Sequence, residues 1–229
     1  MPRTKFPDQV FRIDGKDAFL EVLCSPASFD KVGINFVTYD KNKPAGQREK
    51  DKVMIYLDIF EAQVLAGDIL SGRISALAQV NRQKAKDAGN TYPDAVYTKL
   101  GGTPAKNTPD NRAVSRQFQV VPGAQKPWIL AAMSGPGREQ ASGLISPDGR
   151  PTTTIRIPMD DEGIKQFAYS LQAVANVWTF AKFLPVVAPF IRERRKRDQE
   201  AIREKAAKNA AGDAASGLSA TDFPDEIPE

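Results

Sequence analysis

The sequence predicts an α+β fold in which two antiparallel sheets are each followed by a helix. Segments rich in β-branched and aromatic residues come in two groups of four, and turn-forming clusters separate them. Each group ends where the spacing of apolar residues changes from two to that of a helix, in "KVMIYLDIFEAQVLAGDIL" and "TTIRIPMDDEGIKQFAYSL". Runs of strands followed by helices are typical of sheets that a helix covers on one face.

The first half spans residues 10–84. Four strands are predicted at 10–13, 18–24, 31–39 and 52–57, and in the last of them Val53, Ile55 and Leu57 alternate with other residues. Asp58 can cap a helix, with Glu61 three residues later as in a capping box. The helical spacing then continues to about residue 84.

Residues 85–113 show no period and contain three prolines and three glycines, so we expect a long loop. The scheme then recurs over 114–184. Strands are predicted at 114–121, 127–133, 139–146 and 152–158, followed by a helix that Asp160 or Asp161 caps. The two halves and the loop would form one domain over residues 1–185.

The C-terminal part has a different composition. Pro185 and Pro189 are expected to close the last helix of the domain. Residues 186–211 are good helix formers with almost no apolar stripe after Ile191, which indicates a basic, solvated helix. From residue 212 to 229 the Ala, Ser, Gly and Asp composition predicts a disordered acidic tail.

Composition excludes several functional classes. The 229 residues contain no histidine and one cysteine, which removes zinc sites and nucleophilic triads. No phosphate-binding loop is present, so we expect neither an enzyme nor a metal or cofactor. No apolar run reaches the roughly 18 residues of a membrane span, and we expect a cytoplasmic protein without membrane contact. From Gly212 onward the chain has five acidic residues and no Lys or Arg. The part before Gly212 is therefore strongly basic, which suits a polyanionic partner.

Cations beside aromatic rings occur in both halves of the predicted domain. Single-stranded nucleic acid requires this pairing, because cations neutralise phosphates and unpaired bases stack on rings. The alternative for each ring is a place in the core. The candidate binding residues are Lys31, Phe36, Tyr39, Lys52, Arg116, Phe118, Lys126, Trp128, Arg138, Arg150 and Arg156.

The doubled plan over residues 10–184, with "TTTIRIPMDDEGIKQFAYSLQAVANVWTFAKFL" as its most telling stretch, resembles the Whirly family and the related transcriptional-coactivator-type proteins. The resemblance implies two packed sheets, helices that join subunits of a homo-oligomer, and binding of single-stranded DNA. The Lys-Gly-Lys-Ala-Ala-Leu motif of the plant family has no counterpart here, so the candidate residues rest on their chemistry alone.

The last residues, "DFPDEIPE", resemble the C-terminal tip of bacterial single-stranded-DNA-binding proteins, typically Asp-Phe-Asp-Asp-Asp-Ile-Pro-Phe. Glu229 stands where that family has its final Phe. The resemblance implies docking to replication or repair proteins, with acids that steer the tip and an apolar anchor that enters a pocket. The partner-docking residues are Asp222, Phe223, Asp225, Glu226, Ile227 and Pro228.

Together these observations predict a protein that coats single-stranded DNA or RNA during replication, recombination or transfer of bacterial, phage or mobile-element DNA. Three alternatives stay open at this point. The first is a transcriptional regulator on the same fold, and the second is an interaction protein of a mobile element that binds no nucleic acid. The third, a carboxylate enzyme such as a nuclease, lacks a paired acidic motif.

Overall fold

The computed structural model describes residues 8–44 and 46–215. The chain divides into two compact units, Met1–Thr179 and Phe180–Glu229. All strands and the first two helices lie in the first unit. The second unit contains the remainder of the last helix, and the predicted tip, residues 222–228, lies outside the described residues.

The first sheet is an antiparallel meander of four strands in the order β1-β2-β3-β4. The strands are β1 (Gln9–Asp14), β2 (Ala18–Leu23), β3 (Lys31–Tyr39) and β4 (Glu49–Asp58). In β3, Val32, Ile34 and Phe36 point into the core, as the two-residue period of a strand requires. The four strands predicted in this half are therefore confirmed.

Two helices follow where one was predicted, namely α1 (Ile59–Leu70) and α2 (Arg73–Asp87). Gly72 separates them with a φ of 81°, a left-handed conformation that favours glycine. Asp58 occupies the N-cap position of α1, but its carboxylate pairs with Lys31 and makes no capping hydrogen bond. Glu61 likewise accepts hydrogen bonds from Tyr97 and Lys99, so the predicted capping box is wrong.

The second sheet contains β5 (Tyr97–Thr103), β6 (Val114–Pro122), β7 (Trp128–Glu139), β8 (Ile145–Pro147) and β9 (Thr153–Met159). All pairs are antiparallel. The first half of β7 pairs with β9 and its far end with the short β8. The prediction that 85–113 is a loop is wrong, because β5 pairs with β6 along seven residues. The predicted strand 139–146 is mostly turn, and β7 extends to Glu139 in its place.

The inner faces of both sheets and the three helices share one core. Phe118 of β6 is completely buried at its centre, with ring centroids 6.0 Å from Phe36 of the first sheet and 6.3 Å from Phe167 of the last helix. Tyr97 of β5 lies 5.9 Å from the same ring. The two halves are therefore joined by packing as well as by the chain. The predicted α+β class, with two antiparallel sheets that are each followed by helical structure, is confirmed by this topology, and the second sheet has five strands where four were predicted.

The last helix, α3 (Asp161–Ala215), begins where the sequence predicted. Asp160 caps it, since its Oδ1 accepts a hydrogen bond of 2.9 Å from the backbone N–H of Gly163. The helix does not end at Pro185 or Pro189 and also includes residues 212–215 of the predicted tail. Pro185 and Pro189 are four residues apart and therefore lie on the same side of the helix. The backbone hydrogen bonds on its other sides are kept, which allows the helix to continue.

By length and composition, α3 over Asp161–Asn209 is the one helix in the described part of the chain that could cross a membrane. The sequence still has no unbroken apolar run of that length, since Lys182 interrupts it, and the helix meets the test through its average composition. Only 11% of its most apolar window is buried.

Candidate nucleic-acid interface

The outer face of the second sheet forms the floor of an open groove of about 970 Å³. Because side chains alternate along a strand, the residues that flank Phe118 and Leu130 in sequence point away from the core. Gln119, Ala131 and Arg156 lie side by side across β6, β7 and β9, and Val121, Ile129 and Pro158 form the next row. The floor is thus apolar, with one amide and one guanidinium group.

The wall of the groove comes from the end of α2 and the chain that follows it. Arg82 and Lys86 project from the last turns of α2, and Asn90–Pro93 continue the wall. Two contacts position it. Arg82 Nη2 donates to the carbonyl of Pro127 over 2.8 Å, and the amide of Asn81 donates to the carbonyl of Asp94 over 3.1 Å. The β6–β7 turn, residues 122–126, closes one end of the groove.

Among the residues that the structure describes, four cations and no carboxylate line this groove. The cations are Arg82, Lys86, Lys126 and Arg156. Between them lies Tyr92, whose side chain is among the most exposed apolar groups of the first unit at 80%. A cationic surface with an accessible ring can hold phosphates by charge and a base by stacking.

Lys126 has an acidic neighbour at the rim of the groove. Its Nζ lies 2.8 Å from Asp160 Oδ2, and both side chains are about half exposed. The hydrogen bond from Lys126, together with that from the Gly163 N–H, lowers the pKa of Asp160. Exposed pairs of this kind are worth little because water screens them. A phosphate can therefore compete for Lys126 at little cost.

Three aromatic rings of the predicted site are core residues. Phe36 and Phe118 have no exposed surface and Trp128 has 3%. All three side chains point to the core-facing side of β3, β6 or β7. The alternation in the sequence shows which residues share a face, but it does not show which face is buried. No base can stack on them without unfolding the sheets, so their assignment as binding residues is wrong.

The predicted cations of the second half separate into two groups. Lys126 and Arg156 line the groove. Arg116, Arg138 and Arg150 lie toward the other end of β6 and β7, away from the turn at 122–126. Arg116 donates to Thr103 Oγ1 over 2.6 Å, and Arg138 pairs with Asp148 at 2.8 Å. These three do not belong to the groove.

The first-half candidates do not reach the groove either. Lys31 pairs with Asp58, and the hydroxyl of Tyr39 donates to the carbonyls of Gly15 and Lys16 at 3.1 and 3.2 Å. Lys52 is exposed on the outer face of the first sheet. The structure therefore gives these residues structural or solvated positions.

Sequence reasoning missed Arg82, Lys86 and Tyr92. Tyr92 lies in "AGNTYPDA", where an isolated ring in a polar segment rich in Gly, Pro and Asn has no core to join. That isolation is a usable signal. Nothing in the sequence shows that this segment lies beside the second sheet.

Metal chemistry finds no support in the described residues. Across 8–44 and 46–215, no group of three or more His, Cys, Asp or Glu side chains is placed to hold an ion.

No protein-family model matches the sequence, and no curated protein is significantly similar to it. Solved structures do show similarity. That of the plant transcriptional regulator PBF-2 has a TM-score of 0.43 and 17% identity, covering 79% of this chain and 94% of that one. That of WHY1 from Arabidopsis thaliana has a TM-score of 0.41 and 11% identity, covering 82% and 96%.

Proposed function

We propose that this protein binds single-stranded nucleic acid in the groove on the outer face of the second sheet. The proposal rests on four cations around the exposed Tyr92, namely Arg82, Lys86, Lys126 and Arg156. No carboxylate of residues 8–44 or 46–209 belongs to the lining. The cations come from α2, a turn and β9, so the fold assembles a charge cluster that no single segment contains.

The apolar floor favours an unpaired strand over a duplex. Ile129 and Met133 are half-buried beside the cations, and their side chains offer contact to base faces. A duplex keeps its base faces stacked inside and presents only phosphates and groove edges, so neither the floor nor Tyr92 would gain from it. Stacking is worth roughly 1–3 kcal/mol per base.

The biological role forms the finer part of the proposal. We infer a cytoplasmic, non-enzymatic protein that coats strands during replication, recombination or transfer and self-associates while doing so. Recruitment of replication or repair proteins through residues 222–228 belongs to the same proposal. Its support is the sequence of the tip, where acidic residues alternate with Phe223 and Ile227.

The test compares charge reversal inside and outside the groove. A labelled 30-nucleotide strand, its duplex and an unrelated acidic polymer are titrated by anisotropy at two salt concentrations. The double variant Lys86→Glu/Arg156→Glu should lose at least 100-fold in affinity for the strand. The matched control Arg138→Glu/Arg150→Glu has the same change in charge and should lose less than fivefold.

Two results would overturn the proposal. Equal affinity of the wild type for strand, duplex and polymer would indicate mere basicity. Equal losses in the two double variants would show that net charge, and not the groove, determines binding. Thermal unfolding of both variants checks that the fold is intact, since all four side chains are exposed.

A further inference from the structure

The part of α3 that follows its apolar stretch is highly charged. Residues 192–209 contain eight basic and four acidic side chains, and every residue of the segment is exposed. As a helix the segment is about 27 Å long. It lies within the second unit. The segment therefore offers a charged surface to solvent on all its sides.

Basic residues on one face of this segment form a continuous stripe. Spacings of three, four, seven and eleven residues place side chains on the same face of an α-helix. Arg192 is followed at these spacings by Arg195, Lys196, Gln199 and Arg203. These five residues are called the basic stripe. Its four cations and one amide extend along about 17 Å of the helix.

The acidic side chains of the segment lie on other faces. Glu193, Glu200 and Glu204 are separated by seven and four residues, so they share a stripe of their own. That stripe lies about 80 to 120° around the helix axis from Arg192, and Asp198 lies about 120° away in the other direction. The basic stripe therefore contains no negative charge.

Local ion pairs do not account for the arginines of the stripe. The ion pairs of the segment join residues four positions apart, namely Arg197 to Glu193, Lys208 to Glu204 at 2.8 Å, and Lys196 to Glu200 at 3.9 Å. Such pairs stabilise an exposed helix. In the described part of the chain, Arg192, Arg195 and Arg203 have neither an ion pair nor a side-chain hydrogen bond. Three guanidinium groups on one face are thus available to an anionic partner.

We propose that the basic stripe binds the phosphates of double-stranded DNA. A helix with its side chains is about 10–12 Å across, and the major groove of B-DNA, at about 12 Å, admits one. Arginine and lysine side chains on a helix in this groove reach the phosphates beside it. A duplex carries one negative charge per ~1.7 Å, so the stripe lies along about ten charges.

A duplex suits the stripe better than an unpaired strand. The sequence has no aromatic residue between 192 and 215, so unpaired bases find no ring on which to stack. Gln199, which lies between Arg195 and Arg203 on the stripe, has an amide that can donate to a phosphate or a base edge. Because the stripe lacks a ring and an apolar floor, its affinity for a duplex should remain below that of the groove for a strand.

An anionic membrane surface fits the segment less well. A helix that lies in a membrane interface has an apolar face opposite its basic one. The face opposite the stripe has Arg194, Ala201 and Lys208, and Ile202 is the only large apolar residue between 192 and 209. The segment therefore has no apolar face to insert beneath the head groups, whereas phosphates of a duplex require none.

The test uses the full chain and a 20-base-pair DNA duplex, titrated by anisotropy at four salt concentrations. Arg192→Gln/Arg195→Gln/Arg203→Gln should weaken duplex binding at least 20-fold. The slope of log affinity against log salt should fall by about 2.7, since each phosphate contact on B-DNA contributes about 0.9. The matched control Arg194→Gln/Arg197→Gln/Lys205→Gln has the same charge change on other faces and should stay within fivefold. Glutamine is a good helix former, and circular dichroism checks that the helix is intact.

Strand binding separates this proposal from that of the groove. Both glutamine variants should keep their affinity for a 30-nucleotide strand within fivefold, and Lys86→Glu/Arg156→Glu should keep its affinity for the duplex within fivefold. Either site can therefore fail alone. Equal losses of duplex affinity in the two glutamine variants, or no duplex binding by the wild type, would overturn the proposal. Binding to vesicles of anionic phospholipid that the stripe variant abolishes, with duplex affinity unchanged, would overturn it in favour of a membrane.

Discussion

The indole N–H of Trp128 donates to Asp161 Oδ1 over 2.8 Å, which ties the first residue of β7 to the first residue of α3. The ring is buried beneath this bond. Trp128, which the sequence places among cations, therefore connects β7 to α3 and does not face the groove. Lys126 precedes Trp128 by two residues and Asp160 precedes Asp161 by one, so the same contact places this ion pair at the rim of the groove.

Replacing Trp128 with Phe should therefore lower stability and leave binding intact. Loss of a buried hydrogen bond to a charged acceptor costs about 1.5–3 kcal/mol. Urea unfolding measures the first effect and strand titration the second. A Trp128→Phe variant with wild-type stability and weakened binding would show that the ring reaches the strand after all.

Tyr92→Ala should reduce affinity for single strands about 5- to 150-fold, as expected for loss of one stacked base. Tyr92→Phe keeps the ring and should retain most of the affinity. The unfolding free energy should change by less than ~0.5 kcal/mol in both variants, since the side chain is exposed. Equal affinity of the wild type, Tyr92→Ala and Tyr92→Phe would show that Tyr92 does not contact the strand.

Arg156→Gln should lower the salt dependence of binding as well as the affinity. Each phosphate contact on a single strand contributes about 0.7 to the slope of log affinity against log salt. Titrations at four salt concentrations give this slope. Arg150→Gln serves as the control and should leave the slope unchanged, and a similar decrease in both variants would argue against a localised phosphate contact.

Phe118→Ala should cost about 3–5 kcal/mol, the usual range for a large ring removed from a core. The ring contacts side chains from both sheets and α3, so the two halves should unfold in one transition in the wild type and lose their coupling in the variant. Calorimetry measures both. The matched ring deletion Tyr92→Ala is the control. Two separate transitions in the wild type would contradict a shared core.

Tyr97 makes stability fall at alkaline pH. Burial raises the pKa of its hydroxyl, and the hydrogen bond to Glu61 raises it further. In the unfolded chain the group ionises near its ordinary value of 10. Its contribution is therefore complete below that pH and decreases as the pH rises above it, because only the unfolded state then loses the proton.

Unfolding in urea at pH 8 and pH 11 measures this effect. Tyr97→Phe should show a smaller loss of stability between the two pH values than the wild type. Tyr169→Phe alters an exposed tyrosine and should follow the wild type. An identical pH dependence in all three proteins would mean that Tyr97 ionises freely in the folded state.

Seven of the eight predicted strands correspond to strands of the structure, because a sheet with one buried face imposes its two-residue period on the sequence. β5 was missed because "YTKLGG" mixes a lysine and two glycines into a short segment. It forms because β6 supplies a hydrogen-bonding edge. Local sequence propensities also failed to predict the break between α1 and α2 at Gly72 and the continuation of α3 through Pro185 and Pro189.

The candidate site was predicted less well than the fold. Lys126 and Arg156 were found, since exposed cations on turns and strands can be recognised from their chemistry. The rings at Phe36, Phe118 and Trp128 were assigned to the wrong face. Alternation separates the two faces of a strand but gives no sign of which one a second layer will cover.

The order of residues by itself determined the class of fold, the doubled plan and the basic character of the body, since these follow from period, turn chemistry and charge. Tertiary structure decided which cations lie together in one groove. The wall residues and Arg156 are about 65 to 75 positions apart in the chain, and they meet because the end of α2 passes the outer face of the second sheet. Such proximity arises from packing between distant segments, which leaves no local pattern in the sequence.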